Sequence, residues 1–330
     1  ENMNRIVKII DYKPKGYQSS LLSFEATATT NLTPNTYTIP RYSFLNADGN
    51  VYSFINDATF NKSSAGSEIL NDFSKDNLLR QGRYFEYPAS LALGEEFEII
   101  TLSLKDPISK ESLKIDSDSI DVYVRDADTQ IVHQYTKTNN IFLEAPGTRK
   151  YELRLNESEL YEIKFGNGVF SNKLNVNDTI LIYYIQSDGI SGKVSAGTVD
   201  GSAVNFYNTP QFNIIKNFIY DENFNLLTTE NSQFINFANN VDSTDPVEKE
   251  SVENIRINAA KNFQLQNRLV TKQDFENFLN INYSTILKTY SVVNNREYVK
   301  KYLQYFYDIG LNQPNNDSRL LFNQVNFSTI

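Results

Sequence analysis

A chain of 330 residues is long enough for two domains, and with 40% apolar and 13% aromatic residues each can bury a core of its own. Lys and Arg number 31 against 40 Asp and Glu, a net charge of -9 with no basic stripe, which argues against nucleic acid as a partner. Zero cysteines exclude disulfides and thiolate metal sites and fit a reducing assembly compartment, and no apolar run approaches the ~20 residues that span a bilayer, so a soluble chain with no membrane partner is expected.

The first methionine is Met3, so a fragment of a longer chain is expected, with residues 1–35 as its N-terminal arm. Ile6, Val7, Ile9 and Ile10 read as a strand or a short helix, because the run is too brief for periodicity to decide. From Thr36 the signal is β. Tyr37-Thr-Ile-Pro40 reads as a strand ended by proline, and Ala47-Asp48-Gly49-Asn50 as the turn of a hairpin between Tyr42–Phe44 and Val51–Ile55. Residues 57–76 are polar and small and read as a loop. Residues 84–88 are aromatic-rich, and half-buried strands are expected at 96–104 and 119–124, the last with Ile120, Val122 and Val124 on one face. Tyr161, Ile163 and Phe165 alternate with Glu162 and Lys164 before the turn Gly166-Asn167-Gly168, and Thr179–Ile185 is apolar on both faces, as in a central strand.

Residues 201–244 are Asn-rich without a sustained period and read as a connector. Beyond it, Asp245 and Ser251 are both candidate helix caps, with Pro246 at the first helical position. Val252, Ile255, Ala259 and Phe263 share a helical face, opposite a wet side of Glu250, Glu253 and Lys261. Thr271 opens a second helix, with Val270 stapled on Phe275 and an apolar stripe of Phe275, Phe278 and Leu279. A strand at 284–293 and a helix at 296–309, carrying Tyr302 and Phe306, complete the pattern. The fold class expected is α+β: a β-rich region of antiparallel strands (36–200), the connector (201–244), and a smaller helical α+β domain for oligomerisation (245–330).

No motif in this chain assembles a catalytic set. Gly166-Asn-Gly168 lacks the following helix of a phosphate loop and reads as a turn. Asp116, Asp118, Asp121, Asp126 and Asp128 lack the glycine and distal glutamate of a calcium loop and read as a solvated strand edge. His133 is the only histidine, which excludes a two-histidine zinc site, and no Gly-x-Ser-x-Gly elbow accompanies it. No catalytic residue, cofactor or metal is expected. Arg256 and Arg268 flank the helices and suit an interface, where arginine is enriched. With 21 Tyr and 22 Phe, more aromatic surface is expected than one monomer needs.

Three ordered segments carry a resemblance to the baseplate J-like family, most closely to wedge proteins of the gene-product-six type in T-even-like contractile-tailed phages. They are Tyr37–Pro40 with Asn46–Phe54; Tyr161–Phe170 with Asp178–Tyr184 and Asp188–Gly192; and Glu250–Arg256 through Gln266–Thr271 to Phe275. Ser171 departs from the pattern, where the family often has glycine. The resemblance implies a non-enzymatic structural protein that joins a baseplate ring, as a homodimer within it, contacts other baseplate wedge proteins, and passes conformational change toward sheath contraction. It further implies a virion tail location after assembly in the host cytoplasm. Interface candidates are Val252, Ile255, Arg256, Ala259, Arg268, Tyr302 and Phe306. A carbohydrate-binding β module, suggested by the tyrosine-rich strands, is the alternative, and a carboxylate-dependent glycosidase ranks behind it.

Overall fold

The computed structural model describes residues 3–10, 12–63, 66–70, 78–105, 113–156, 158, 160–220, 224–265 and 272–282. The strand expected at 284–293, the helix expected at 296–309 with Tyr302 and Phe306, and also Arg268, Val270 and Thr271, lie outside the described residues. Two compact units partition the chain, Glu1–Ile257 and Asn258–Ile330. Among the described residues no helix is long and apolar enough to cross a membrane.

The ambiguous N-terminal run is helix α1 (Met3–Ile9), with Val7 buried. Strands β1 (Leu21–Ser23) and β2 (Glu25–Ala28) follow, each paired with strands of the first unit. Strand β3 (Asn35–Ile39) ends at Pro40, and β4 (Phe44–Ala47) and β5 (Asn50–Phe54) form the expected hairpin. Asp48 and Gly49 take φ of 48° and 82°, the positive pair that matches a two-residue turn to strand twist. Strand β6 (Ala58–Lys62) falls where a loop was expected. Thr59 and Phe60 favour strand but Ala58, Asn61 and Lys62 do not, and pairing with β3 from Asn35↔Lys62 to Ile39↔Ala58, which buries Ala58 and Phe60, decides the conformation. Short β7 (Glu68–Ile69) pairs with β2, and β8 (Leu78–Gln81) joins the sheet β1-β8-β5-β4.

A seven-stranded sheet forms the largest layer. Its members are β9 (Arg83–Leu91), β10 (Ile99–Leu102), β11 (Ile115–Arg125), β12 (Val132–Thr138), β13 (Lys150–Leu155), β14 (Tyr161–Lys164) and β15 (Thr179–Gln186). The order is β10-β14-β13-β12-β11-β15-β9, and every neighbouring pair is antiparallel except β12 with β13. Both faces of this sheet are covered. Ile120, Val122, Val124, Ile163, Ile180 and Ile182 pack into one core, while Tyr123, Leu181, Tyr183 and Ile185 pack into another. The expectation of a half-buried 119–124 is therefore corrected, whereas 179–185 is buried on both faces as its composition implied.

Residues 201–244, read from sequence as a connector, carry helix α2 (Pro210–Ile219), a short α3 (Thr229–Ser232) and strand β16 (Ile235–Ala238). Thr209 caps α2 by accepting from the Phe212 N–H at 3.1 Å, with Pro210 next in line. Phe212 and Ile215 join the tyrosine-rich core, and Phe237 on β16 joins a third core with Phe24 and Phe54. Helices α4 (Val252–Leu265) and α5 (Lys272–Asn282) follow. Among the described residues strands outweigh helices.

Every described tyrosine except Tyr87 is buried, so the tyrosine part of the expected aromatic surplus is interior, whereas Phe85, Phe142, Phe218, Phe224, Phe263, Phe275 and Phe278 are exposed. Tyr42 is the hub. Its ring lies 4.4 Å from Tyr84, 5.4 Å from Tyr183 and 5.3 Å from Phe212.

Gly82, between β8 and β9, has φ +113°, and an added Cβ would meet the Gln186 carbonyl oxygen at 2.3 Å and Ile185 Cγ2 at 2.5 Å. Gly82→Ala is expected to destabilise the first unit by roughly 2–4 kcal/mol, through backbone strain and displacement of β15. Urea unfolding would show this as a lower midpoint at unchanged slope.

Candidate functional site

The approach to α4 differs from the sequence reading at its first step. Asp245 does not cap a helix: its carboxylate pairs with Lys193 Nζ at 2.6 Å, and Val247 is extended, exchanging backbone hydrogen bonds of 2.9 and 2.8 Å with Gln18. Long-range backbone pairing outweighs a local cap whose Pro246 only permits, and does not require, a helix. The cap is Ser251, whose hydroxyl accepts from the Asn254 N–H at 3.3 Å. Glu250, expected on the wet side, accepts from the Tyr12 hydroxyl at 2.7 Å and the Lys15 N–H at 3.1 Å.

Along α4, Ile255 and Ala259 are each 3% exposed, an i, i+4 pair that forms a narrow buried stripe. Val252 and Phe263 are 52% and 59% exposed, so the four apolar residues do not share one buried face. Arg256 is exposed and stands 3.9 Å from Glu253, an i, i+3 pair too loose to hold its guanidinium. In α5, Phe275, Phe278 and Leu279 are exposed and Asn277 is buried. Of the interface candidates, Val252 and Arg256 are thus available at the surface, Ile255 and Ala259 face inward, and Arg268, Tyr302 and Phe306 lie outside the described residues.

Asp118 and Asp128 are exposed, as a solvated edge requires, but Asp116 and Asp121 are not. Asp116 is fully buried, and its carboxylate takes Arg80 Nη1 at 2.8 Å, the Ser19 N–H at 2.7 Å and the Asp118 N–H at 2.8 Å. Asp121 accepts from Arg41 Nη2 at 2.6 Å and from the Tyr42 hydroxyl at 2.8 Å. Burial pushes the Tyr42 and Tyr84 phenols well above their ordinary range and Tyr123 up to about 12, so all three are neutral donors near pH 7. These acids hold the fold together. His133 on β12 lies edge-on to Phe218 at 6.3 Å, and burial, then the charge of Arg149, lowers its pKa.

Gly166-Asn-Gly168 forms the loop expected of it. Asn167 Oδ1 accepts from the Val169 and Phe170 N–H groups at 3.1 and 2.9 Å, and no helix follows. Ser171 has φ +59°, a conformation that glycine adopts freely, and its hydroxyl donates to the Thr148 carbonyl at 2.7 Å. Exposed Val169, Phe142 and Leu143 cluster at this end of the sheet, where Lys164 Nζ sits 4.3 Å from the Phe97 ring and 4.5 Å from Phe142.

No sequence pattern singled out a cleft of about 580 Å³ in the first unit, between the segment Tyr12–Gln18 and the ends of β12 and β13. The local signal was Lys13-Pro14-Lys15-Gly16, a run that proline holds extended. At its wall Glu152 is buried, takes Arg154 through two hydrogen bonds of 2.8 and 2.7 Å, and pairs with Lys13 at 3.0 Å. Burial alone would raise the Glu152 pKa, but the hydrogen bonds from Arg154 and Lys13 outweigh it and the net shift is downward.

No protein-family model matches the chain, and no curated protein does. A solved structure does. The anti-feeding prophage (AFP) baseplate, determined by cryo-electron microscopy with 6-fold symmetrisation, contains a chain similar to this one at 12% identity and a TM-score of 0.26. The likeness covers 88% of this chain and 48% of that one, so this chain spans about half the length of its counterpart.

Because the Glu152 pKa is lower folded than unfolded, its contribution to stability is complete above the ordinary value of 4.5 and is lost as pH falls through the depressed folded value. Glu152→Gln is expected to lower stability by about 1–3 kcal/mol at pH 7, leaving Arg154 and Lys13 without their anion. The difference from the unmodified protein should shrink below pH 4.5, measured by urea unfolding across a pH series.

Proposed function

We propose that the chain is a structural, non-enzymatic subunit of a contractile-tail baseplate wedge, which self-associates through α4 and joins other wedge proteins in the baseplate ring. The observation that carries this reading is the ordered set of three family-like segments together with the way they pack. Tyr52, from the first segment, donates its hydroxyl to the Gly192 carbonyl of the second at 2.8 Å. Tyr42, just beyond Pro40, stacks on Tyr183 of the second segment. Glu250, which opens the third, is held by Tyr12 and Lys15. The first two segments and the start of the third, up to Ile257, are therefore parts of the first unit, and that start carries the exposed Val252 and Arg256.

Switching in such a ring is rigid-body rotation about subunit interfaces and requires no chemistry within the chain. A virion tail location and assembly in the host cytoplasm belong to the same proposal. The carbohydrate-binding alternative loses its motivation, since the strand tyrosines that suggested it are interior.

Sedimentation velocity at micromolar concentration should show species larger than the monomer, and Val252→Asp combined with Arg256→Glu should shift them toward the monomer by about tenfold in dissociation constant. Both side chains are exposed, so the fold should survive the change. A strictly monomeric protein, or association indifferent to both substitutions, would remove α4 from the proposal. Immunogold labelling should place the chain at the baseplate end of contractile-tailed particles.

A further inference from the structure

The cleft beside Tyr12–Gln18 has a chemistry of its own. Four cationic side chains, Lys13, Lys15, Lys137 and Arg154, line it against two carboxylates, Asp118 and Glu152, so it is locally cationic in a chain of net charge -9. Glu152 is shared by Lys13 and Arg154, and Lys137 divides its ammonium between Asp118 at 3.2 Å and the Ser117 carbonyl at 2.9 Å. Lys15 is half-buried in the cleft wall, and burial lowers its pKa more than the neighbouring Glu250 raises it. Between the cations the lining is apolar, with Pro14, Phe142, Leu153 and Leu155. Cations interleaved with apolar surface fit a ligand that alternates carboxylates with apolar groups.

The strap itself shows what kind of ligand it takes. Residues 12–18 already hold an extended acidic segment of this same chain, Val247-Glu-Lys-Glu250: Gln18 pairs with Val247 through the backbone, the Glu250 N–H donates to the Lys15 carbonyl at 3.0 Å, and the Glu250 carboxylate takes the Tyr12 hydroxyl and the Lys15 N–H. The cleft has the size of an ordinary binding site for a short segment. We propose that it docks an extended acidic peptide segment of a partner chain, with carboxylates on Lys15 and Lys137 and apolar side chains against Phe142 and Leu153. This docking is separate from self-association through α4 and does not depend on the baseplate reading.

The test is fluorescence anisotropy of a labelled six-residue peptide alternating glutamate and leucine, titrated with the full 330-residue chain. Saturable binding is expected, weakened about tenfold by Lys15→Glu and again by Lys137→Glu, and weakened by raised salt. A peptide alternating lysine and leucine should not bind. Phe142→Ser, at a side chain 46% exposed, should weaken binding by more than any fall in its thermal midpoint accounts for, the fall measuring the lost packing on Phe97 and Phe170, which keeps the test sound where a charge reversal disturbs folding. Absence of binding up to millimolar protein would overturn the proposal, as would affinity unchanged in all three variants. So would displacement of the peptide by inorganic phosphate at matched ionic strength, since a site for a small anion would then suffice.

Discussion

The rest of the first unit depends on a strand pair, β11 with β15, that is buried on both faces. Their register sets Val122 opposite Ile182 and Val124 opposite Ile180 on one side, and Tyr123 opposite Leu181 on the other. A strand with apolar groups on both faces gains stability only when both are covered, and here each cover comes from a different part of the chain. One is the sheet's own continuation through Tyr151, Ile163 and Phe165; the other is the tyrosine layer with α2. Loss of either would expose one face of both strands.

Tyrosine is an expensive choice for such a layer, because each hydroxyl needs a partner. A buried ring removes about 150–250 Å² from water, worth several kcal/mol, whereas an unpartnered hydroxyl costs about 1–3 kcal/mol. The ring term wins, and the hydroxyls then dictate which polar groups follow them inside. Tyr42 reaches Asp121, Tyr151 the Ile120 carbonyl at 2.5 Å, Tyr161 the Ile115 carbonyl at 3.3 Å, and Tyr220 reaches Asp57. Asp121 in turn holds Arg41, so this ion pair of β11 is tied to the aromatic core.

Elements whose pattern is set by near neighbours were legible in the sequence. The hairpin β4–β5 was visible from Asp48-Gly49, and β14 and β15 from their alternation and their uniform apolarity. Elements set by distant partners were not. Strand β6 exists because β3 lies beside it, and helix α2 has Thr209, Pro210, Phe212 and Ile215 at correct spacing but diluted among asparagines. Asp245 and Ser251 are both good caps locally; only the backbone of Gln18, far away in sequence, decides between them. Burial of the tyrosines was likewise invisible, since alternation tells which residues share a face but not which face is covered. The cleft was missed for the same reason, as its cations come from three separate segments.

The acidic residues before α4 also change meaning. In sequence Asp245 reads as a helix cap and Glu250 as part of the helix's wet side, with Glu248 between them. In the structure each is a tether within the first unit: Asp245 to Lys193 at 2.6 Å, Glu248 to Lys114 at 2.8 Å, and Glu250 to Tyr12 and the Lys15 backbone. The first two pairs are exposed and individually weak, so the Gln18–Val247 backbone pairing and the Glu250 contacts carry most of the attachment. Val252 and Arg256 begin within two turns of that attachment. The attachment that roots the start of α4 on the β framework is thus provided by residues just before the helix, through partners distant in sequence.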